Sequence, residues 1–354
     1  MESPSTPAIS EPFDPAGIDV EKKNMPISTL IAMLKNDMID LSPAFQRKSD
    51  LWSDEKQSRL IESILLKLPL PSMYFEYNSK TRKYTVIDGL QRLCALKHFA
   101  VDCDLRLKNL EFIDAQYGGL SYKDLNFQDQ LAIGLEEIVV NVFKGNTPDS
   151  VKYLIFKRLN TGGTPLNNQE IRNAIFPGKA NGFIRDLSEA NSFSTLGFSK
   201  KRMKDREAVL RALGFMIKGP EVYSGRMDTF LNDTLRDMET LDEDELRSVR
   251  EHFLAAVATN VRIFGDKAFR IPGKTNRKPS VSLFDVMVTS IAMLSDSETE
   301  RLVRSKASFI EDFTQLMTSD ARLRESVGSK SDRKGATTYR YDTIGSLIKK
   351  HASQ

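Results

Sequence analysis

The spacing of apolar residues changes character once along this 354-residue chain, near Thr147, and that change limits the fold more than any other feature. Before it, short strand-like and helix-like runs alternate. "SMYFEY" and "KYTVID", joined by the polar "NSKTRK", predict a β-hairpin. "MIDLSPAFQR" predicts a short strand stopped at Pro43, and "EEIVVNVFK" a strand rich in β-branched residues. Between them, Ile27, Leu30, Ile31 and Leu34 form one helical stripe. Leu60, Ile61, Ile64, Leu65 and Leu68 form another, opened by Ser53 with Asp54 and Glu55 in its first turn and closed by Pro69 and Pro71. "SYKDLNFQDQLAIGL" predicts a further helix.

After Thr147 nearly every segment has helical spacing. Thr147-Pro148 opens the first helix, and Asn167 with Glu170 has capping-box spacing for the next. "DREAVLRALGFMI", "RMDTFLNDTLRDME", "EDELRSVREHFLAAVATNVRIF", "VSLFDVMVTSIAML" and "ETERLVRSKASFIEDFTQLM" continue the pattern. Glu207 and Arg211, four apart, are expected to pair within their helix. The expected fold class is α+β, with a flexible arm at 1–22, a mixed domain at 23–146, a helical domain at 147–320 and a basic C-terminal segment at 321–354.

Composition excludes several function classes. No apolar run approaches the roughly 18 residues of a membrane span, and the Pro-, Ser- and acid-containing N-terminus has no basic start or apolar stretch of the export type. Cys94 and Cys103 are the only cysteines and read as reduced packing residues of a cytoplasmic protein. His98, His252 and His351 are the only histidines, and none has metal-ligand spacing to another His or Cys, so no metal site is expected. Net charge is only +3, but "KKRMKDR", "FRIPGKTNRK" and "GSKSDRKGATTYRYD" concentrate bases. Lys200, Lys201, Arg202, Lys274, Arg277, Lys278, Lys330, Arg333 and Lys334 are therefore the candidates for contact with a DNA phosphate backbone, solvated loops being the plainer reading.

The strongest local signal is "YTVIDGLQRLCAL", in which a strand passes to a helix through Asp88, Gly89, Leu90, Gln91 and Arg92. Gly permits a tight turn, and the first helical turn offers unpaired N–H groups and the positive end of the dipole. Arg92 supplies a planar fork suited to phosphate, and Gln91 both donates and accepts. Asp88 has three open roles: capping the helix, orienting Arg92, or holding magnesium beside a phosphate. The plainer reading caps the helix with Asp88 and leaves Gln91 and Arg92 on its wet face. Gln46 and Arg47 in "FQRKSDLW", and Asn160, Thr161, Gly162 and Gly163 in "FKRLNTGGTPLNNQEIRNAIF", are further ligand candidates, the glycines also serving as helix caps.

Together and in this order, "LSPAFQRKSDLW", "LIESILLKLPLP", "YTVIDGLQRLCAL", "FKRLNTGGTPLNNQEIRNAIF", "DREAVLRALGF" and "YSGRMDTFLN" resemble the ParB/sulfiredoxin-like family that forms the N-terminal domain of GmrSD-type modification-dependent restriction enzymes. The resemblance runs from about Met25 to about Leu294. The family's Asp-Gly-Gln-Gln-Arg signature stands here as Asp88-Gly89-Leu90-Gln91-Arg92, with a leucine in place of one amide. It is also similar to the ParB box, with Gly89, Arg92 and Ala95 in register. The resemblance implies a nucleoside triphosphate, with or without magnesium, held by Gln46, Arg47, Asp88, Gly89, Gln91, Arg92 and the 160–163 loop. If hydrolysis follows, Asp88 and Arg92 are its catalytic candidates. It also implies a DNA-associated protein of restriction or phage defence, without the family's His-Asn-His nuclease domain and working with a separate nuclease or effector. A stand-alone magnesium-dependent nuclease using Asp88 with Glu76 or Asp102, and a non-enzymatic DNA- or protein-binding module, are the competing readings, and oligomeric state stays open.

Overall fold

A computed structural model of the chain describes residues 19–41, 52–79, 81–144, 147, 151–155, 167–176, 178–274, 278–328 and 331–354. The chain divides into two units, Met1–Leu166 and Asn167–Gln354. This division falls 20 residues beyond the pattern change at 146/147 because helical residues 151–155 join the first unit, with Lys152 ion-paired to Glu76 of its sheet.

The first unit is the α+β part. Its sheet has the order β1-β5-β3-β4-β2, with strands Val20–Pro26, Ile39–Asp40, Met73–Asn78, Lys83–Asp88 and Glu137–Phe143 numbered in chain order. β1 runs antiparallel to β5, so residues 20–22 of the expected arm already lie in the sheet, opposite 141–143. β3 and β4 form the expected hairpin, with a register irregularity between Tyr74 and Phe75. β2 is only two residues long and lies parallel to β4, Ile39 opposite Tyr84. The strands β2 and β4 therefore end on the same edge of the sheet.

Three helices follow from their stripes: α1 (Ile27–Lys35), α2 (Asp54–Leu65) and α3 (Leu90–Leu96). They bury Ile27, Leu30, Ile61, Ile64, Leu93 and Leu96 against Met73, Phe75, Val140 and Val142 of the sheet. Each such side chain contributes about 1.5–3 kcal/mol relative to exposure. Ser53 caps α2 as expected, its hydroxyl accepting from Lys56 N. The helix stops at Leu65, though, and Leu68 is exposed rather than buried. Lys67 has already turned left-handed at φ 54°, and Pro69, two residues on, bars the helix from continuing. Cys94 is buried, and desolvation pushes its thiol up to about 11, as a packing residue requires.

The second unit is helical throughout its described residues. Helix Val281–Ala292 is its centre and packs against Lys204–Lys218, Glu243–Phe264 and Lys334–Ala352. It is buried on most sides, through Leu283, Phe284, Val286, Met287, Val288 and Ile291 and also the polar Ser282, Asp285 and Thr289, as befits an enclosed helix. The capping box of Asn167 and Glu170 is formed as its spacing predicts. The run "ETERLVRSKASFIEDFTQLM" is two helices rather than one, broken at Ser305. The Lys334–Ala352 part of the basic C-terminal stretch is a helix that buries Arg340, Tyr341, Ile344 and Ile348. No helix among the described residues is long and apolar enough to cross a membrane.

Candidate functional site

The Asp88–Arg92 junction has the turn its sequence predicts. β4 ends at Asp88, Gly89 takes a left-handed conformation at φ 107°, and α3 begins at Leu90. A Cβ on Gly89 would lie 2.9 Å from Met73 Cγ, so conformation and crowding both demand glycine here. Leu90 packs partly buried against the core, as a member of the helical stripe should.

Arg92 departs from both expectations. It neither lies on a wet face nor presents its fork outward; the residue is only 8% exposed. Its guanidinium donates to Pro71 O, to Ser72 O at 3.2 Å and to Asp88 Oδ2 at 2.8 Å. Of the three roles open to Asp88, the geometry realises the second: it orients Arg92, while Gly89 itself occupies the cap position without a side-chain bond. Arg92 is thus a brace between the start of α3 and the chain entering β3. Burial is the dominant influence on both partners. It pushes the Asp88 carboxyl up, with Arg92 and the Gly89 N–H only partly offsetting it, and pushes the Arg92 guanidinium down.

Gln91 makes the second tie. Its Oε1 accepts from Trp52 N at 2.9 Å, and Gln57, in the first turn of α2, donates to Trp52 O at 2.8 Å. Gln57 Oε1 lies 3.0 Å from His98 Nδ1. The stretch between β2 and α2 therefore leaves from Leu41, on the edge where β4 ends, and returns at Trp52 against Gln91. Gln46 and Arg47 of that stretch, and Asn160, Thr161, Gly162 and Gly163, lie outside the described residues.

The carboxylates named for a magnesium nuclease do not converge. Asp88 is held by Arg92, Glu76 by Lys152, and Asp102 by Lys97. Among the described residues no three His, Cys, Asp or Glu side chains gather at a point that would hold a metal ion.

Of the DNA-contact candidates, Lys200, Lys201, Lys274, Lys278, Arg333 and Lys334 are exposed, and Arg277 and Lys330 lie outside the described residues. Arg202 is different. Its guanidinium pairs with Glu170 at 3.2 Å and its carbonyl accepts from Asn167, so it secures the helix that Asn167 caps. The expected Glu207–Arg211 pair is replaced as well. Arg211 turns inward to Asp285 at 3.0 Å and to Asp332 at 2.8 Å.

Three buried polar groups were not picked out from the sequence. Glu62 accepts from the N–H groups of Glu111, Phe112 and Ile113 at 3.0, 2.7 and 3.3 Å. Burial alone would raise its carboxyl; these amides, with Arg59 nearby, reverse that and hold it below its ordinary value. Arg172, 1% exposed, bonds Gln169, Asp228 and Asn232. Asp285, fully buried, lies between Arg211 and Arg340. The available signal was a single charge inside an apolar stripe: Glu62 in "LIESILL" and Asp285 in "VSLFDVMV".

The junction, both of its ties and the sheet edge all fall within one matched segment. Residues 27–177 match the family model of the GmrSD restriction endonuclease, N-terminal domain. The matched segment is shorter than the 25–294 span over which the resemblance runs. It ends just after helix Asn168–Ile175, so "DREAVLRALGF" and "YSGRMDTFLN" lie beyond it. No curated protein and no solved structure matches the chain.

Proposed function

We propose that the chain is a nucleotide-binding, DNA-associated component of a restriction- or phage-defence-type system, with a nucleoside triphosphate held at the Asp88–Arg92 junction. The observation that carries this reading is the match of residues 27–177 to the GmrSD restriction endonuclease N-terminal domain, which encloses the whole junction. The ParB-like resemblance of Gly89, Arg92 and Ala95 supplies the nucleotide.

The geometry suggests how labour is divided at such a site. Two parallel strands, β2 and β4, end on one edge, and ligands favour the carboxyl ends of parallel strands. The left-handed Gly89 turn allows a phosphate close approach to backbone. Arg92 acts as a positioning residue whose bonds to Asp88, Pro71 and Ser72 fix that turn. Direct contact with the phosphates then falls to Gln91, Gln46, Arg47 and the 160–163 loop, and magnesium accompanies the phosphates rather than sitting in a protein cage. A separate nuclease or effector protein is the partner this reading assigns to DNA cleavage.

Isothermal titration of each triphosphate with magnesium tests the reading. At least one should bind, and Arg47→Ala should weaken it roughly tenfold or more, as expected for loss of a charge-assisted contact, with the melting temperature unchanged. No heat with any triphosphate, or full affinity in the variant, would overturn it.

A further inference from the structure

Two basic stretches about 50 residues apart in sequence meet around one hollow in the second unit. Residues 270–280 carry four basic side chains and no acid; residues 328–334 carry three and one acid, in a chain whose net charge is only +3. The hollow has a volume of about 220 Å3 and is lined by Lys274, Lys278, Pro279 and Ser280 from the first stretch, and by Val327 and Gly328 beside the second.

The fold holds this arrangement from beneath. Ser280 Oγ donates to Val327 O at 3.0 Å and so joins the two loops, while Ser280 N donates to Phe269 O and closes the first loop. Ser280 also caps helix Val281–Ala292, whose positive end therefore opens at the hollow. The second loop is pinned by Arg340, which donates to Ser326 O and Ser331 O, and by Tyr223, whose hydroxyl donates to Asp332 O. Its single acid, Asp332, is taken up by Arg211 at 2.8 Å. Asp332, itself exposed, is thus paired with a cation of the fold, while Lys274, Lys278, Arg333 and Lys334 are exposed, with exposed Arg324 and Glu325 in the turn before Gly328.

We propose that this hollow, with Lys274 and Lys278 in its wall, seats backbone phosphates of double-stranded DNA. Two lysines in the wall of a depression, Lys274 and Lys278, suit neighbouring phosphates of one strand. The choice of DNA as the polyanion rests on the restriction-type reading above; the seat itself is independent of the nucleotide junction. Its contacts carry no sequence information, so they set affinity and salt dependence rather than specificity.

The test is fluorescence anisotropy of the full chain with a short labelled duplex across a salt series, without nucleotide. Lys274→Glu/Lys278→Glu should weaken binding roughly tenfold or more and make the log–log salt slope shallower by about two. Lys35→Glu/Lys123→Glu, which changes net charge equally at exposed positions of the first unit, should change affinity by less than about twofold. Equal losses for both pairs, unchanged affinity in the first pair, or no retention of duplex by the wild-type chain at low salt would each overturn the proposal. So would displacement of the duplex by inorganic phosphate at equal phosphate concentration, which would mark a site for small anions. Titrating a triphosphate into Lys274→Glu/Lys278→Glu separates this proposal from the nucleotide reading: retained nucleotide affinity with lost DNA affinity supports the seat.

Discussion

The Asp88–Arg92 pair of the first unit and the Arg211–Asp285–Arg340 cluster of the second use the same two residue types to different ends. In the second unit one carboxylate with no exposure is shared by two guanidinium groups, and Asp332 adds a further negative partner to Arg211. Burial works against the Arg211 charge, but Asp285 and Asp332 outweigh it and hold the guanidinium above its usual value. At the junction a single guanidinium faces a single carboxylate whose side chain is still 32% exposed, and burial shifts both groups toward neutrality. Saturated charge makes a structural rivet; the lone pair at a strand–helix turn is less well compensated. A buried pair contributes little net stability but is costly to break.

The largest effect that tests this contrast is expected from Asp285→Ala. It leaves Arg211 and Arg340 buried without their shared counter-ion and should cost about 3–5 kcal/mol. Urea denaturation would show it, and a loss below about 1 kcal/mol, the range of exposed pairs, would remove the distinction between the two regions.

Arg92→Ala comes next, at about 1–3 kcal/mol, because it strands the partly buried Asp88 and releases the carbonyls of Pro71 and Ser72. The same denaturation experiment checks it. A wild-type midpoint would place Arg92 back among residues free to meet a ligand.

The pH dependence of stability sharpens the comparison further, through two carboxylates of opposite sign in the first unit. Glu62 is held below its ordinary value, so its contribution is present above the unfolded-state value and is lost as pH falls through the folded one. Asp88 is raised, so its contribution is fully present below the unfolded-state value, near 3.9, and is lost as pH rises through the folded one. Glu62→Gln should therefore flatten the acid limb of a melting-temperature profile, and Asp88→Asn should flatten the decline above it. The same change of profile in both variants would contradict the assignment. The physical lesson is that three fixed amides outweigh the desolvation of Glu62, whereas one desolvated guanidinium and one amide do not outweigh that of Asp88.

What the sequence made legible follows the range of the interactions. Ser53 and the Asn167–Glu170 box were readable because their partners lie within three residues. The Gly89 turn was readable because a strand pattern met a helix pattern there. Arg92's orientation was not, because its carbonyl partners come from residues 20 and 21 positions earlier. Arg211 shows the failure most plainly: a local partner, Glu207, stands at the favourable spacing, but Asp285, 74 positions away, takes the guanidinium. Ser305 broke an apparently continuous helix, and its hydroxyl bonds Leu302 O and His351 O, the latter 46 positions away. The two basic loops were legible as charge but not as neighbours, since Ser280 and Val327 are joined only by the packing of distant helices.

Triphosphate titration of Gln91→Glu tests the junction most directly. The glutamate keeps an acceptor for Trp52 N but adds a negative charge beside Asp88. Binding should weaken roughly tenfold or more while the melting temperature stays near that of the wild type. Unaltered triphosphate affinity in this variant would show that the phosphates do not sit at the Gly89 turn.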